Sequence, residues 1–224
     1  MKNRCSCRKG KSFKKLFSRE IEELLGFLEK HREVKPYVLE LINLFRPTDS
    51  ERVIGERVFH TVRECYSNGI VNFFQVEKLL ELLKNFFLHS TDSRRGDFLE
   101  VLLSKKGALS LNGRYRRINQ CKLYKRMMEI SAKEIDVAFT GPLGMEVHEC
   151  KANMVRQWRD PLYKRTKKGR KLIFLNSVKG QCYNGKVFIY CTGLDGDFSV
   201  KYIRNLFEAY GYKNISVAGR KELL

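Results

Sequence analysis

Residues 136–153 read Asp-Val-Ala-Phe-Thr-Gly-Pro-Leu-Gly-Met-Glu-Val-His-Glu-Cys-Lys-Ala-Asn. The two apolar runs, Asp136 to Phe139 and Met145 to Asn153, are parted by Gly141-Pro142-Leu143-Gly144. Gly and Pro together mark a tight turn, so the stretch reads as a β-hairpin. Side chains alternate along a strand. Glu149 and Lys151 therefore fall on one face and Cys150 on the other, with Ile135, Val137 and Phe139 and then His148, Cys150 and Ala152 at the alternate positions. Folding at the turn brings Asp136 beside Glu149, with Lys151 next to them. Two carboxylates and an amine at one sheet end make a candidate site for a divalent cation and a water.

At these residues the chain resembles the PD-(D/E)XK, or restriction-endonuclease-like, nuclease superfamily. Ile135-Asp136 matches the first half-motif and Glu149-Cys150-Lys151 the E-x-K half. A glutamate on a preceding helix is typical of that family, and Glu100 in Gly96 to Leu103 supplies one. The resemblance covers roughly residues 94–224. Ile135 stands where the family pattern has proline. The Gln-x-x-x-Tyr element of the RecB-like exonuclease branch is missing, because Gln157 and Tyr163 are too far apart. An E-x-K tripeptide alone is too short to mean anything, and Asp, Glu and Lys on strands often form only an ion pair. What carries weight is the ordered set of helical Glu100, strand Asp136, turn, and strand Glu149 and Lys151.

The resemblance implies an α/β domain with a mixed sheet flanked by helices, and a Mg²⁺ or Mn²⁺ ion held by Asp136, Glu149 and the Cys150 backbone carbonyl. It gives Glu100 a metal-bound water or a second cation. Lys151 would orient the attacking water or relieve charge at phosphorus, and would serve as a base only if burial lowered its pKa. His148, out of phase with Glu149, is expected on the opposite face as a packed or hydrogen-bonded core residue.

Charge distribution agrees with a polyanionic partner. Of the 224 residues, 44 are Lys or Arg and 25 Asp or Glu, for a net charge of +19. Residues 1–19 carry eight basic and no acidic side chains; residues 20–93 carry nine basic and thirteen acidic. Residues 94–224 carry 27 basic and 12 acidic, a net of +15 on the part that holds the candidate site. Arg114, Arg116 and Arg117 precede that site, and Arg156, Arg159, Lys164, Arg165, Lys167, Lys168, Arg170 and Lys171 follow it. Cations suit phosphates and exposed rings suit unpaired bases. Trp158 and Tyr163 are the expected base contacts, with ordinary core or rim packing as the other reading.

Residues 1–17 read as a basic flexible arm, with Cys5 and Cys7 as exposed thiols in it, and residues 18–90 as a helical domain. Its apolar stripes include Ile21, Leu24, Leu25 and Leu28, and Val76, Leu79, Leu80, Leu83 and Phe87. The acidic balance of this segment favours a structural or protein-partner role over a DNA-reading helix-turn-helix. Residues 91–224 form the nuclease-like domain, in which Lys171 to Leu175 reads as helix or strand. Hydrophobic content is 43%, and no apolar run is long enough to cross a membrane. Seven scattered cysteines, without a signal-peptide pattern, are expected as reduced thiols in a cytoplasmic protein.

The expected activity is endonucleolytic hydrolysis of DNA, with RNA also open. Dimerisation, common in the class, would let two sites cut two strands. The competing readings are a non-catalytic nucleic-acid-binding module with a degenerate nuclease fold, and a protein-interaction scaffold acting through residues 18–90.

Overall fold

The computed structural model describes residues 5–9, 18–88, 92–125, 128–158, 166–182 and 185–224. The chain divides into two compact units: Lys15–Val101, and a second made of Met1–Lys14 with Leu102–Leu223.

The helical unit holds α1 (Arg19–Lys30), α2 (Lys35–Leu44), α3 (Glu51–Ser67) and α4 (Phe73–Leu88). Ser18 and Ser50 cap α1 and α3 by accepting from the Ile21 and Val53 amides, the usual remedy for the unpaired N–H groups of a first turn. α1 buries Ile21, Leu24, Leu25 and Leu28, as the periodicity predicts. α4 buries Leu79, Leu82, Leu83, Phe86 and Phe87. Val76 and Leu80, expected in its stripe, are only half-buried. α5 (Asp92–Lys106) runs through the division between the units, which falls after Val101. The observed division therefore lies within a helix, after Val101, and not at residue 91.

The other unit is a mixed α/β structure. Its seven strands among the described residues are β1 (Cys5–Lys9), β2 (Arg116–Lys125), β3 (Met128–Glu129), β4 (Ile135–Gly141), β5 (Gly144–Cys150), β6 (Lys186–Thr192) and β7 (Ser216–Ala218). The sheet order is β1-β2-β4-β5-β6-β7, with β3 paired to β2. The pairs β1–β2, β2–β3, β2–β4 and β4–β5 are antiparallel, while β5–β6 and β6–β7 are parallel. Helices α6 (Met154–Trp158), α7 (Lys167–Gln181), α8 (Asp197–Ala209) and α9 (Arg220–Leu223) complete the order. The β4–β5 turn needs only Pro142 and Leu143, since Gly141 pairs with Gly144. A Cβ at Gly144 would run into the Lys186 backbone, so glycine lets β6 lie close beside the hairpin.

One face of the sheet packs against Trp158 and against Leu172, Leu175 and Val178 of α7 and Val200, Ile203 and Phe207 of α8. Lys171 to Leu175 is thus helix, its apolar run supplying the buried stripe of α7.

Two expectations about the amino-terminal segment are corrected. Residues 5–9, read as part of a flexible arm, form an edge strand whose register runs from Cys5 opposite Lys125 to Lys9 opposite Cys121; residues 1–4 and 10–17 lie outside the described residues. Cys5 and Cys7, two apart on β1, face the core rather than solvent. They are disulfide-bonded to Cys182 and Cys121, with Cα separations of 5.2 and 5.7 Å, within the span of such a bond. Four of the seven cysteines are therefore not reduced thiols. The other three, Cys65, Cys150 and Cys191, are buried. No helix among the described residues is long and apolar enough to cross a membrane.

Candidate active site

The β4–β5 ladder begins with Val137 opposite His148, so Asp136 is the next residue out, beside Glu149. The Cys150 amide donates to Asp136 Oδ2 at 2.7 Å, which ties the two strand ends together. Lys151 leaves the sheet at this point. Its Nζ lies 2.8 Å from Glu149 Oε1 and 3.4 Å from Asp136 Oδ2, and donates to the Cys150 carbonyl at 2.8 Å. Across the ladder, Gln120 takes a φ of +47°. It falls between the pairs Asn119–Val137 and Cys121–Ile135, so the regular pairing opens opposite Asp136.

A fourth group completes the cluster. Lys171, one turn into α7, places its Nζ 2.7 Å from Glu149 Oε2 and also donates to the Glu134 carbonyl. Both oxygens of Glu149 thus face an ammonium. The Glu149 side chain is 6% exposed, against 20% for Asp136, 27% for Lys151 and 15% for Lys171. The carboxylate is sealed while its partners reach solvent.

The charges follow from this geometry. Burial alone would push the Glu149 carboxyl up, but Lys151 and Lys171 outweigh it and hold Glu149 below the usual carboxylate range. Asp136 is pushed up by burial and by the Glu149 charge. Burial would lower the Lys151 ammonium, but Glu149 and Asp136 outweigh it and hold it above its ordinary value. Lys151 is therefore a cation, not the base that a depressed pKa would have made it.

Among the described residues no group of three or more His, Cys, Asp or Glu side chains is arranged to hold a metal ion. The donors at hand are two carboxylates and the Cys150 carbonyl, which has a second lone pair beyond the one given to Lys151. All are hard oxygens. They fit Mg²⁺ or Mn²⁺, which keep several waters and need few protein ligands.

The opposite face of β5 carries a second buried charge. Glu146 accepts from the backbone amides of Leu109, Ser110 and Leu111 at 2.6, 2.7 and 2.9 Å. His148 Nε2 lies 2.7 Å from Glu146 Oε1, and its Nδ1 lies 2.8 Å from Thr192 Oγ1. The imidazole stacks on Tyr190 at 5.1 Å. Burial holds His148 below its ordinary value despite Glu146, so the neutral ring donates from Nε2 and accepts at Nδ1. His148 is thus the hydrogen-bonded core histidine expected from its phase in the strand.

The remaining candidates divide. Lys167 and Arg170 are exposed and Lys168 half-buried in the first turn of α7. Lys167 and Lys168 precede Lys171 by four and three residues, which puts all three on one side of the helix. Arg156 is half-buried on α6. Trp158, expected to touch bases, is corrected: it is 1% exposed and packs on Phe207 at 6.1 Å. Arg116 and Arg117, expected with Arg114 to bind nucleic acid, stand at the other end of the sheet from Asp136. β2 is antiparallel to β4, so Arg116 pairs with Thr140 at the hairpin end, away from Asp136, and Arg117 donates to the Ser104 carbonyl at 3.0 Å. Glu100 is buried in the part of α5 belonging to the helical unit, and the cluster around Glu149 is defined without it. Arg159, Tyr163, Lys164 and Arg165 lie outside the described residues.

No family model and no curated protein matches the chain. Among solved structures it is similar to Can2 from Sulfobacillus thermosulfidooxidans in complex with cyclic tetra-adenylate, at 10% identity and a TM-score of 0.37, over 96% of this chain and 55% of that one. It is also similar to protein VC1899 from Vibrio cholerae, at 12% identity and a TM-score of 0.42, over 98% of this chain and 56% of that one. The chain thus spans little more than half the length of either structure.

Proposed function

We propose that this protein is a divalent-metal-dependent endonuclease that hydrolyses phosphodiester bonds in DNA, with a site of the PD-(D/E)XK kind. The observation that carries the reading is the convergence of Asp136, Glu149, the Cys150 carbonyl and the Lys151 ammonium within hydrogen-bonding reach at one sheet end. Asp136, Glu149 and the Cys150 carbonyl would hold Mg²⁺ or Mn²⁺. When bound, the cation supplies a Lewis acid for the phosphate and makes water more acidic. Lys151, kept protonated by the two carboxylates, donates hydrogen bonds to the attacking water and to a non-bridging phosphate oxygen. Its compact ammonium can turn between them where a planar guanidinium could not. Lys167, Lys168 and Arg170, at the positive end of α7, draw the phosphate chain towards the site.

The test is cleavage of labelled linear, branched and single-stranded DNAs, and of RNA, with and without Mg²⁺ or Mn²⁺. Metal-dependent products from any DNA, lost in Glu149→Gln, are expected. A folded protein that cuts none of these nucleic acids with either metal overturns the reading. In single turnover, Lys151→Ala should lower the rate by roughly a thousandfold with little change in binding measured in Ca²⁺.

A further inference from the structure

The two lysines that meet Glu149 are differently placed, and the difference bears on how the site loads. Lys151 follows the strand directly and is held by Asp136 and the Cys150 carbonyl as well as by Glu149. Lys171 comes from a separate element, α7, in the same helical turn as Lys167 and Lys168. It reaches Glu149 Oε2 and the Glu134 carbonyl. The cluster of Asp136, Glu149, Lys151 and Lys171 carries formal charges that cancel. A divalent cation arriving alone would add two positive charges beside two ammoniums, and it would meet a Glu149 whose oxygens are both engaged. A phosphodiester arriving with it brings a negative charge and a new acceptor for an ammonium.

Resting on the metal-site reading above, we infer that Lys171 is an exchangeable counter-ion. It occupies Glu149 Oε2 until substrate arrives, then moves to a non-bridging phosphate oxygen as Glu149 is released to the cation. The site therefore binds metal weakly by itself and binds metal and phosphodiester together. No bond is made or broken in this step, and no proton changes place; one ammonium exchanges a carboxylate oxygen for a phosphate oxygen. Coupling of this kind is reciprocal: whatever the polynucleotide does for the metal, the metal does for the polynucleotide. It guards against idle occupation of the site by free cations.

The test compares wild type with Lys171→Met, which keeps length and apolar stem but removes the charge. Mn²⁺ binding is followed by electron paramagnetic resonance without nucleic acid, and affinity for a fluorescein-labelled duplex with a single-stranded tail is measured in EDTA and in Ca²⁺. Wild type should gain about tenfold or more in DNA affinity from Ca²⁺, and Lys171→Met should bind Mn²⁺ about tenfold more tightly than wild type and gain less than about threefold from Ca²⁺. Lys171→Arg keeps the charge and should keep the coupling; it also replaces the Met variant if that one fails to fold, since loss of coupling in a folded Arg variant would equally overturn the inference. Wild-type Mn²⁺ affinity and wild-type coupling in a folded Lys171→Met would overturn it while leaving the metal site intact. If wild type binds Mn²⁺ no better than Asp136→Asn with Glu149→Gln, the metal-site reading itself has failed, and this inference with it.

Discussion

One strand, β5, presents two buried carboxylates to opposite faces of the sheet, and they are held in opposite ways. Glu146 is gripped by three backbone amides and an imidazole, with no measurable exposure. Its partners cannot leave without dismantling the loop at residues 109–111. Glu149 is held by two lysine side chains, each on a flexible stem and partly in contact with solvent. An amide cage fixes a charge in place; an ammonium pair can be exchanged. Burial alone would class both residues as structural, and the identity of the partners separates them.

The comparison breaks most decisively at Glu149. On the proposed mechanism, Glu149→Gln or Asp136→Asn should lower metal-dependent cleavage by at least about a thousandfold in a folded protein, because each would remove a charged ligand while keeping the side chain's size. Cleavage at the wild-type rate in either variant would return Glu149 to the same class as Glu146. The reverse holds across the strand. Glu146→Ala leaves three amides and His148 without their acceptor in the interior, and should cost on the order of 4 kcal/mol in denaturant unfolding. A Glu146→Ala protein as stable as wild type would show that the amides find other partners.

Acid should distinguish the faces more gently. His148 is held below its ordinary value of 6.5, and burial is the cause. The unfolded chain therefore takes up a proton that the folded one refuses, and stability falls as pH drops below about 6.5. Glu146 adds to the loss below about 4.5: burial raises its carboxyl, but His148 and the Leu109 and Ser110 amides outweigh this and hold it low. Denaturation midpoints at pH 7.5 and 5.5 should differ more for wild type than for His148→Asn. Equal shifts would remove the imidazole from the account. The smallest effect concerns the basic flanks. Replacing Lys167 and Arg170 with Ala should flatten the salt dependence of DNA binding more than replacing Arg114 and Arg116, the same number of exposed charges at the hairpin end. Equal slopes would mean that the phosphate chain runs the length of the sheet.

The two-residue period of a strand and the Gly-Pro turn were enough to place Asp136, Glu149 and Lys151 together and to send His148 to the far face, because those relations are local. In the sequence Lys171 is only one cation in a basic run. Its place beside Glu149 depends on α7 being a helix that starts at the open end of the sheet, and an apolar run such as Leu172 to Leu175 is compatible with strand as well. Trp158 misled because an aromatic among cations suits a base contact, and only packing against Phe207 shows that it points inward. Arg114 to Arg117 are near the site in sequence but lie at the hairpin end once β2 pairs antiparallel with β4. The cysteine pairs were invisible for a simpler reason: their partners are 177 and 114 residues away.

β1 has a consequence for how this protein is made. It pairs with β2, yet the whole of Lys15–Val101 lies between them in the chain. During synthesis that helical stretch, rich in local contacts, leaves the ribosome and can fold while β1 still has no neighbour. For the time it takes to translate more than a hundred residues, the short strand is a template with its hydrogen-bonding edge open. Its brevity and the exposed Arg8 are what natural sequences use to keep such an edge from pairing with the wrong chain. β1 can join the sheet only once β2 has been made, so the helical unit is an insertion in the chain between two strands that pair with each other.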